Sequence, residues 1–125
     1  MRVAVTAAGP SLDAAVDPRF GRCPCFLLVE TETMNFEALE NASASRGGGA
    51  GIQAAQLVAQ RGAKAVLTGS CGPNAHQTLR AAGIEVFAGC SGTVADVVAR
   101  FVRDELVAAL EPDVTAHAGM AGRRS

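Results

Sequence analysis

The sequence predicts an α/β domain with a mixed sheet, and three observations support this. In the second half, short β-branched or apolar runs alternate with helical patterns, an order that requires right-handed crossovers and a parallel sheet. In the first half, two strand patterns flank a short turn, which adds antiparallel strands. The chain has 125 residues, 49% hydrophobic and 18% charged, as is typical of one globular domain.

The first half contains three predicted strands and one long loop. Residues 2–7 are short, apolar and β-branched, which favours a buried strand. Residues 9–24 form a loop, and a loop of this length in a compact domain is usually functional or disordered. Residues 26–30 and 35–40 are predicted to pair as a hairpin, and the small, glycine-rich residues 43–51 indicate a mobile segment.

The second half predicts three helices and two strands. A helix begins at Gly51 and is capped by Gly62, and a buried strand follows over 65–68. A second helix is predicted over 75–82, with Pro73 well placed for its first turn, and the last strand covers 84–87. A long amphipathic helix then follows, with these residues on one face: Val94, Val97, Val98, Phe101, Val102 and Leu106. We expect residues 1–110 to form the domain and residues 111–125 a disordered tail.

Composition excludes several classes of function. The only aromatic residues are five Phe, so platforms for stacking nucleic-acid bases are scarce. Eleven Lys and Arg against twelve Asp and Glu leave a net charge of −1, which argues against a nucleic-acid surface. Neither a secretory signal nor a membrane span is recognisable, so we expect a cytoplasmic protein with no membrane partner, and its four cysteines as thiols.

Glycine-rich loops are the feature that points to a ligand. The three segments 47–51, 69–74 and 89–93 each precede a predicted helix, where exposed backbone N–H groups can bind an anion. The alternative is that glycine only permits tight turns. Ordinary nucleotide binding is disfavoured, because the only lysine, Lys64, precedes a strand and the glycines lack the dinucleotide spacing.

Two arginines in the 9–24 loop favour the same ligand class. The guanidinium groups of Arg19 and Arg22 offer fixed sets of donors suited to an anion with several acceptor atoms. In the structural alternative, Asp17 pairs with Arg19 and Phe20 fills the core. His76, directly after the 69–74 loop, could face a ligand at the loop mouth or be an ordinary surface or half-buried histidine.

The four cysteines permit a metal site. Cys23, Cys25, Cys71 and Cys90 all fall near predicted strand ends and could converge on zinc or an iron–sulfur cluster. Their spacing lacks the paired knuckles of structural zinc sites, and cysteine is also a common buried residue. No Ser-His-Asp order or close carboxylate pair suggests a hydrolase.

Several ordered motifs resemble a known family. They are the Val-Ala-Val strand at 3–5 and the segments 16–22 (Val-Asp-Pro-Arg-Phe-Gly-Arg), 49–55 (Gly-Ala-Gly-Ile-Gln-Ala-Ala) and 68–75 (Thr-Gly-Ser-Cys-Gly-Pro-Asn-Ala). Over residues 1 to 107 the chain resembles the dinitrogenase iron–molybdenum cofactor biosynthesis family. The resemblance implies a ribonuclease-H-like, three-layer fold and a non-enzymatic protein that binds, carries or assembles a metal–sulfur cluster.

Within that family, the chain resembles members that hold a molybdenum–copper sulfide cluster, two thiomolybdates bridged by copper, without covalent attachment. An iron–molybdenum cofactor or an iron–sulfur cluster is the alternative cofactor. Other functions left open are a regulatory module that partners a cytoplasmic ATPase and a protein with thiolate-bound iron–sulfur or zinc. We expect a monomer. The predicted cluster-binding residues are Arg19, Gly21, Arg22, Gly47, Gly48, Gly49, Gly51, Ser70, Cys71, Gly72, Asn74 and His76.

Overall fold

The computed structural model describes residues 1–42 and 49–108. The predicted tail at 111–125 and residues 43–48 of the predicted mobile segment lie outside the described residues. Within the described ranges the chain forms five strands and three helices. They are β1 (Arg2–Ala7), β2 (Cys25–Glu30), β3 (Phe36–Glu40), α1 (Ala50–Gln60), β4 (Ala65–Leu67), α2 (Pro73–Ala81), β5 (Glu85–Phe87) and α3 (Val94–Val102).

The strands form one mixed sheet in the order β3-β2-β1-β4-β5. The parallel part runs from β1 through β4 to β5, as the alternating second half predicted. β1 pairs with β2 and β2 with β3 in antiparallel register, which confirms the hairpin. The predicted α/β class with a mixed sheet is therefore confirmed, whereas the ribonuclease-H-like assignment stays a prediction.

The strands β1, β2 and β4 are buried and supply two apolar clusters, one on each face of the sheet, because successive side chains point to opposite sides. The edge strand β3 is mostly exposed. Ala4 packs in one apolar cluster with residues of α1 and α2 such as Val58 and Leu79. Its neighbours Val3 and Val5 pack in a second cluster with α3. We call these the α1/α2 face and the α3 face. Among the described residues, no helix is long and apolar enough to cross a membrane.

The third helix is shorter than predicted. α3 ends at Val102, whose side chain is 58% exposed, so Val102 does not belong to the apolar face. Asp104 adopts a positive φ of 61°, which takes the chain out of the helix before Leu106. Leu106 still packs against the α3-face core, but from the segment that follows the helix. Phe101 closes this core by meeting Phe87 edge-on, with ring centroids 5.3 Å apart.

One edge of the sheet gathers the loops that matter for function. The carboxyl ends of β1, β4 and β5 lie at this edge because the three strands are parallel. The register pairs Ala7 with Cys25 and Cys25 with Glu40, so β2 begins and β3 ends at the same edge. Ligands of open α/β sheets collect beyond such carboxyl ends. We call it the carboxyl edge.

Candidate functional site

Residues 8–24, the arginine loop, connect β1 to β2 along the carboxyl edge. The loop is tied to the end of β1, since the Asp17 backbone N–H donates to the Thr6 carbonyl at 2.9 Å. The buried Thr6 hydroxyl donates back to the Asp17 carbonyl at 2.7 Å, and its oxygen lies 2.9 Å from the Thr68 hydroxyl oxygen after β4. These contacts hold the loop in a fixed path across β1 and β4.

A close backbone contact fixes the middle of the arginine loop. The Ser70 backbone N–H and hydroxyl both donate to the Pro18 carbonyl, at 2.7 and 2.9 Å, and the Phe20 N–H donates to the Ser70 carbonyl at 3.0 Å. A β-carbon on Gly69 would lie only 2.5 Å from Pro18 Cα, so only glycine allows this approach. The segment around Arg19 is thereby fixed against the loop that leads into α2.

Gly21 brings the arginine loop to the start of α1. Its φ is +94°, and a β-carbon there would lie 3.0 Å from Gly51 Cα. Gly51 in turn approaches α2, because a β-carbon on it would lie 3.2 Å from Ala75 Cβ. The N-termini of α1 and α2 are therefore neighbours, and the arginine loop passes directly beside them.

The electrostatics of these two helix starts differ from those of α3. Within the described residues, α1 and α2 begin at Gly49 and Gly72 with no side-chain cap and no acidic residue in the first turn. α3 begins with the Thr93 hydroxyl accepting the Asp96 N–H at 3.1 Å, and Asp96 supplies a negative charge. A helix start attracts anions through its unpaired N–H groups and its dipole. The neighbouring N-termini of α1 and α2 can therefore still attract an anion from outside. At α3, the Thr93 hydroxyl and the Asp96 carboxylate already supply the acceptor and the negative charge.

The three predicted glycine loops are consequently not equivalent. The loops before α1 and α2 meet on the α1/α2 face, whereas the 89–93 loop opens the helix on the opposite face. That third loop instead braces the arginine loop, since the Val16 N–H donates to the Gly92 carbonyl at 2.8 Å. Gly49 is exposed and Gly51 half-buried at the start of α1, while Gly47 and Gly48 lie outside the described residues.

The structural interpretation of the arginine loop is confirmed, whereas ligand contact by its two arginines stays a prediction. Phe20 is buried and packs 5.4 Å from Phe26, and the buried Asp17 carboxylate accepts the Arg19 backbone N–H at 2.9 Å. The Arg19 guanidinium lies 3.7 Å from Asp17 and its side chain is still 62% exposed. Arg22 is also exposed. The loop is anchored by its backbone and by Phe20, and both arginine side chains remain accessible from solvent.

Asn41 is a site residue that the sequence analysis missed. It follows β3 and is only 4% exposed. Its side-chain amide nitrogen donates to the carbonyls of Gly21 and Cys23, at 3.0 and 2.9 Å, and so spans Arg22. The signal available in the sequence was an asparagine directly after a strand, but its two partners are about twenty residues earlier in the chain.

The structure does not bring the four cysteines together. Cys23 and Cys71 are buried in the α1/α2-face core, and Cys25 and Cys90 in the α3-face core. Burial, reinforced by the nearby Asp17 charge, raises the pKa of Cys23 to about 12, and burial raises that of Cys90 to about 11. Metal ligation requires thiolates. Among the described residues no group of three or more His, Cys, Asp or Glu side chains could hold a metal ion, so the alternative in which the four cysteines converge on a metal is not found there.

The predicted residues around α2 differ in accessibility. His76 is only 5% exposed, so it is more deeply buried than the surface or half-buried histidine that the sequence analysis considered. Ala75, His76 and Leu79 form the inward face of α2, so this first-turn residue points into the protein. Cys71 is buried, Ser70 is half-buried, and Gly72 and Asn74 are exposed at the helix start.

Comparison with known proteins identifies the family. The model of the family described as dinitrogenase iron-molybdenum cofactor matches residues 1–104. The chain belongs to this family. It is 30% identical over 94 residues to an uncharacterized protein of Methanocaldococcus jannaschii, a match that covers 73% of this chain and 80% of that protein.

Two solved structures of similar proteins share the fold. The apo form of the orange protein from Desulfovibrio gigas matches with a TM-score of 0.87 and 48% identity, covering 89% of this chain and 94% of that one. A Thermotoga protein of the DUF35 family matches with a TM-score of 0.74 and 32% identity, covering 92% and 95%. The family match spans every predicted site residue, and its description is of a metal-containing cofactor.

Proposed function

We propose that this protein binds and carries an anionic metal–sulfide cluster, held without covalent bonds where α1 and α2 begin. The observation that carries the proposal is the meeting of two helix N-termini beside Gly21, each without a side-chain cap or a first-turn acid among the described residues. Each such terminus is equivalent to about half a positive charge. Arg19 and Arg22 lie in the adjoining loop and add two full positive charges.

The chemistry of the site suits a cluster that brings its own sulfur ligands. Backbone N–H groups and guanidinium groups donate hydrogen bonds to an anion's outer atoms, and neither coordinates a metal. The buried thiols of Cys23 and Cys90 are protonated at neutral pH, since burial raises their pKa to about 12 and 11. Recognition of the cluster's outer sulfides therefore needs no cysteine ligand.

The cluster that we propose contains two thiomolybdates bridged by copper, as the family resemblance implies. Similarity to the orange protein, at 48% identity over most of both chains, supports this choice. An iron–molybdenum cofactor is the alternative that the family description favours. In both cases the cluster is cargo and the protein is not an enzyme. The monomeric state, the cytoplasmic location and an ATPase partner stay predictions.

Reconstitution from the apoprotein tests the proposal. Tetrathiomolybdate and a copper(I) salt are added, unbound reagents are removed by gel filtration, and the visible spectrum and metal content of the protein fraction are measured. The expected result is a stoichiometric, coloured complex that releases its metal when the protein is unfolded. A protein fraction without visible bands would refute the orange-protein-like function.

Charge-changing variants then locate the binding site. Replacement of both Arg19 and Arg22 by Ala should weaken cluster retention at least tenfold, because charge-assisted hydrogen bonds are lost. Arg80→Ala is the matched control, since Arg80 is exposed in the last turn of α2, at the end opposite the site. Equal retention by the double variant and the control would remove the arginines from the site.

A further inference from the structure

Asn41 lies at the carboxyl edge, and its side-chain amide contacts one short segment of the arginine loop. The side chain is 4% exposed, and its amide nitrogen donates to the carbonyls on both sides of Arg22, at 3.0 Å to Gly21 and 2.9 Å to Cys23. The Asn41 backbone N–H also donates to the Pro24 carbonyl at 3.0 Å. One residue thus determines the path of the chain immediately before and after Arg22.

The other side of this segment is fixed by α1. Gly21 packs so closely that a β-carbon on it would lie 3.0 Å from Gly51 Cα. The tripeptide from Gly21 to Cys23 is therefore held between Asn41 and the start of α1. Cys23 is fully buried, which anchors the end of the tripeptide in the core, whereas Arg22 between the two fixed residues is exposed.

From this arrangement we infer that Asn41 is a positioning residue that orients Arg22 for the cluster; the inference rests on the proposed function. In this role the buried Asn41 acts through Arg22 and not through a contact of its own with the cluster. Its amide satisfies two carbonyls whose orientation determines the direction in which Arg22 leaves the backbone. A preorganised guanidinium binds an anion more tightly than a mobile one, because less conformational freedom is lost on binding.

A double-mutant cycle separates this role from a general contribution to folding. Asn41→Leu is close in size, is neutral and donates no hydrogen bond, so it removes the two contacts without adding a charge near the anion. We expect it to weaken the binding of tetrathiomolybdate with copper(I) about tenfold in the otherwise unaltered protein. In the Arg22→Ala background it should have almost no further effect, because the residue that it positions is already absent.

The matched cycle uses Arg19→Ala, since the hydrogen bonds that hold the Arg19 segment come from Ser70 and Asp17. In this second cycle, the fold-losses of cluster affinity caused by Asn41→Leu and by Arg19→Ala should multiply. Circular dichroism checks that each variant is folded. If Asn41→Leu does not fold, Asn41→Ser, which keeps a single hydroxyl donor, enters the same cycle.

The outcomes distinguish this inference from the proposed function. If Asn41→Leu weakens cluster binding equally in the wild-type and the Arg22→Ala backgrounds, its role is merely structural and the inference is overturned. Unaltered binding by Asn41→Leu, or by Arg22→Ala, would overturn it while the carriage of a cluster still stands. If the wild-type protein itself fails to take up the cluster, the proposed function fails, and the inference fails with it.

Discussion

Replacement of Gly69 by Ala tests whether the contact between the arginine loop and the loop before α2 is as tight as described. The added β-carbon would lie 2.5 Å from Pro18 Cα and 2.8 Å from the Pro18 carbonyl oxygen. Because these are backbone atoms, no side-chain rotation can relieve the clash. Gly69 does not have a positive φ, so the substitution tests the contact and not backbone strain.

The expected cost follows from the contacts that must move. Separating the two segments by about 1 Å would break the 2.7 Å hydrogen bond from the Ser70 N–H to Pro18 and weaken the 3.0 Å bond from Phe20 to Ser70. Two hydrogen bonds contribute about 1–3 kcal/mol, and overpacking adds about 1–3 kcal/mol. We therefore expect the free energy of unfolding to fall by about 2–6 kcal/mol, a large share of a domain's usual stability.

Urea unfolding followed by circular dichroism measures this change, since the chain contains no Trp or Tyr for fluorescence. Gly9→Ala is the control, because its β-carbon would make only an ordinary 3.7 Å contact with Ala14. Its free energy of unfolding should stay within about 1 kcal/mol of the wild-type value. A Gly69→Ala protein as stable as the control would refute the tight contact and the fixed path of the arginine loop that depends on it.

Two further predictions concern the α3 face and the buried thiols. Thr93→Ala removes the α3 cap and should lower the free energy of unfolding by about 1 kcal/mol in urea titrations, while cluster affinity measured by reconstitution stays unchanged; a loss of affinity would place α3 in the site. Burial raises the pKa of Cys23 and Cys90 from the ordinary value near 9 to about 12 and 11, so the folded protein keeps thiol protons that the unfolded chain releases. Stability in reducing buffer should therefore fall as pH rises from about 9 to 11, by up to about 1.4 kcal/mol per pH unit for each thiol. Replacement of both cysteines by Ala should flatten this part of the pH profile, and an equally steep fall in that variant would contradict the assignment.

Local patterns were sufficient to predict most of the architecture. The strand predicted over 65–68 is the buried strand β4 (Ala65–Leu67), and Pro73, expected in the first turn, is the first residue of α2. The alternation of strands and helices predicted the parallel part of the sheet, because crossovers of that length have one sterically favoured hand. For α3 the apolar period continued past the helix, so periodicity alone did not show that the chain turns at Asp104.

The site was harder to predict because it depends on contacts between distant segments. The role of Asn41 requires Gly21 and Cys23 to reach the end of β3, and no local pattern encodes that approach. Cys23 and Cys25 are two residues apart but lie on opposite faces, since the chain enters β2 only at Cys25. The capping of α3 likewise became informative only when compared with the starts of α1 and α2.

Metal analysis of the protein isolated from its native host, combined with its visible spectrum, tests the central claim most directly. The account predicts that molybdenum, copper and inorganic sulfide copurify in a fixed ratio with the folded protein and are lost on unfolding. They should also stay bound when all four cysteines are replaced by serine in a folded variant. A colourless protein without molybdenum, or metal that disappears when only the thiols are removed, would contradict a noncovalent metal–sulfide site beside the arginine loop.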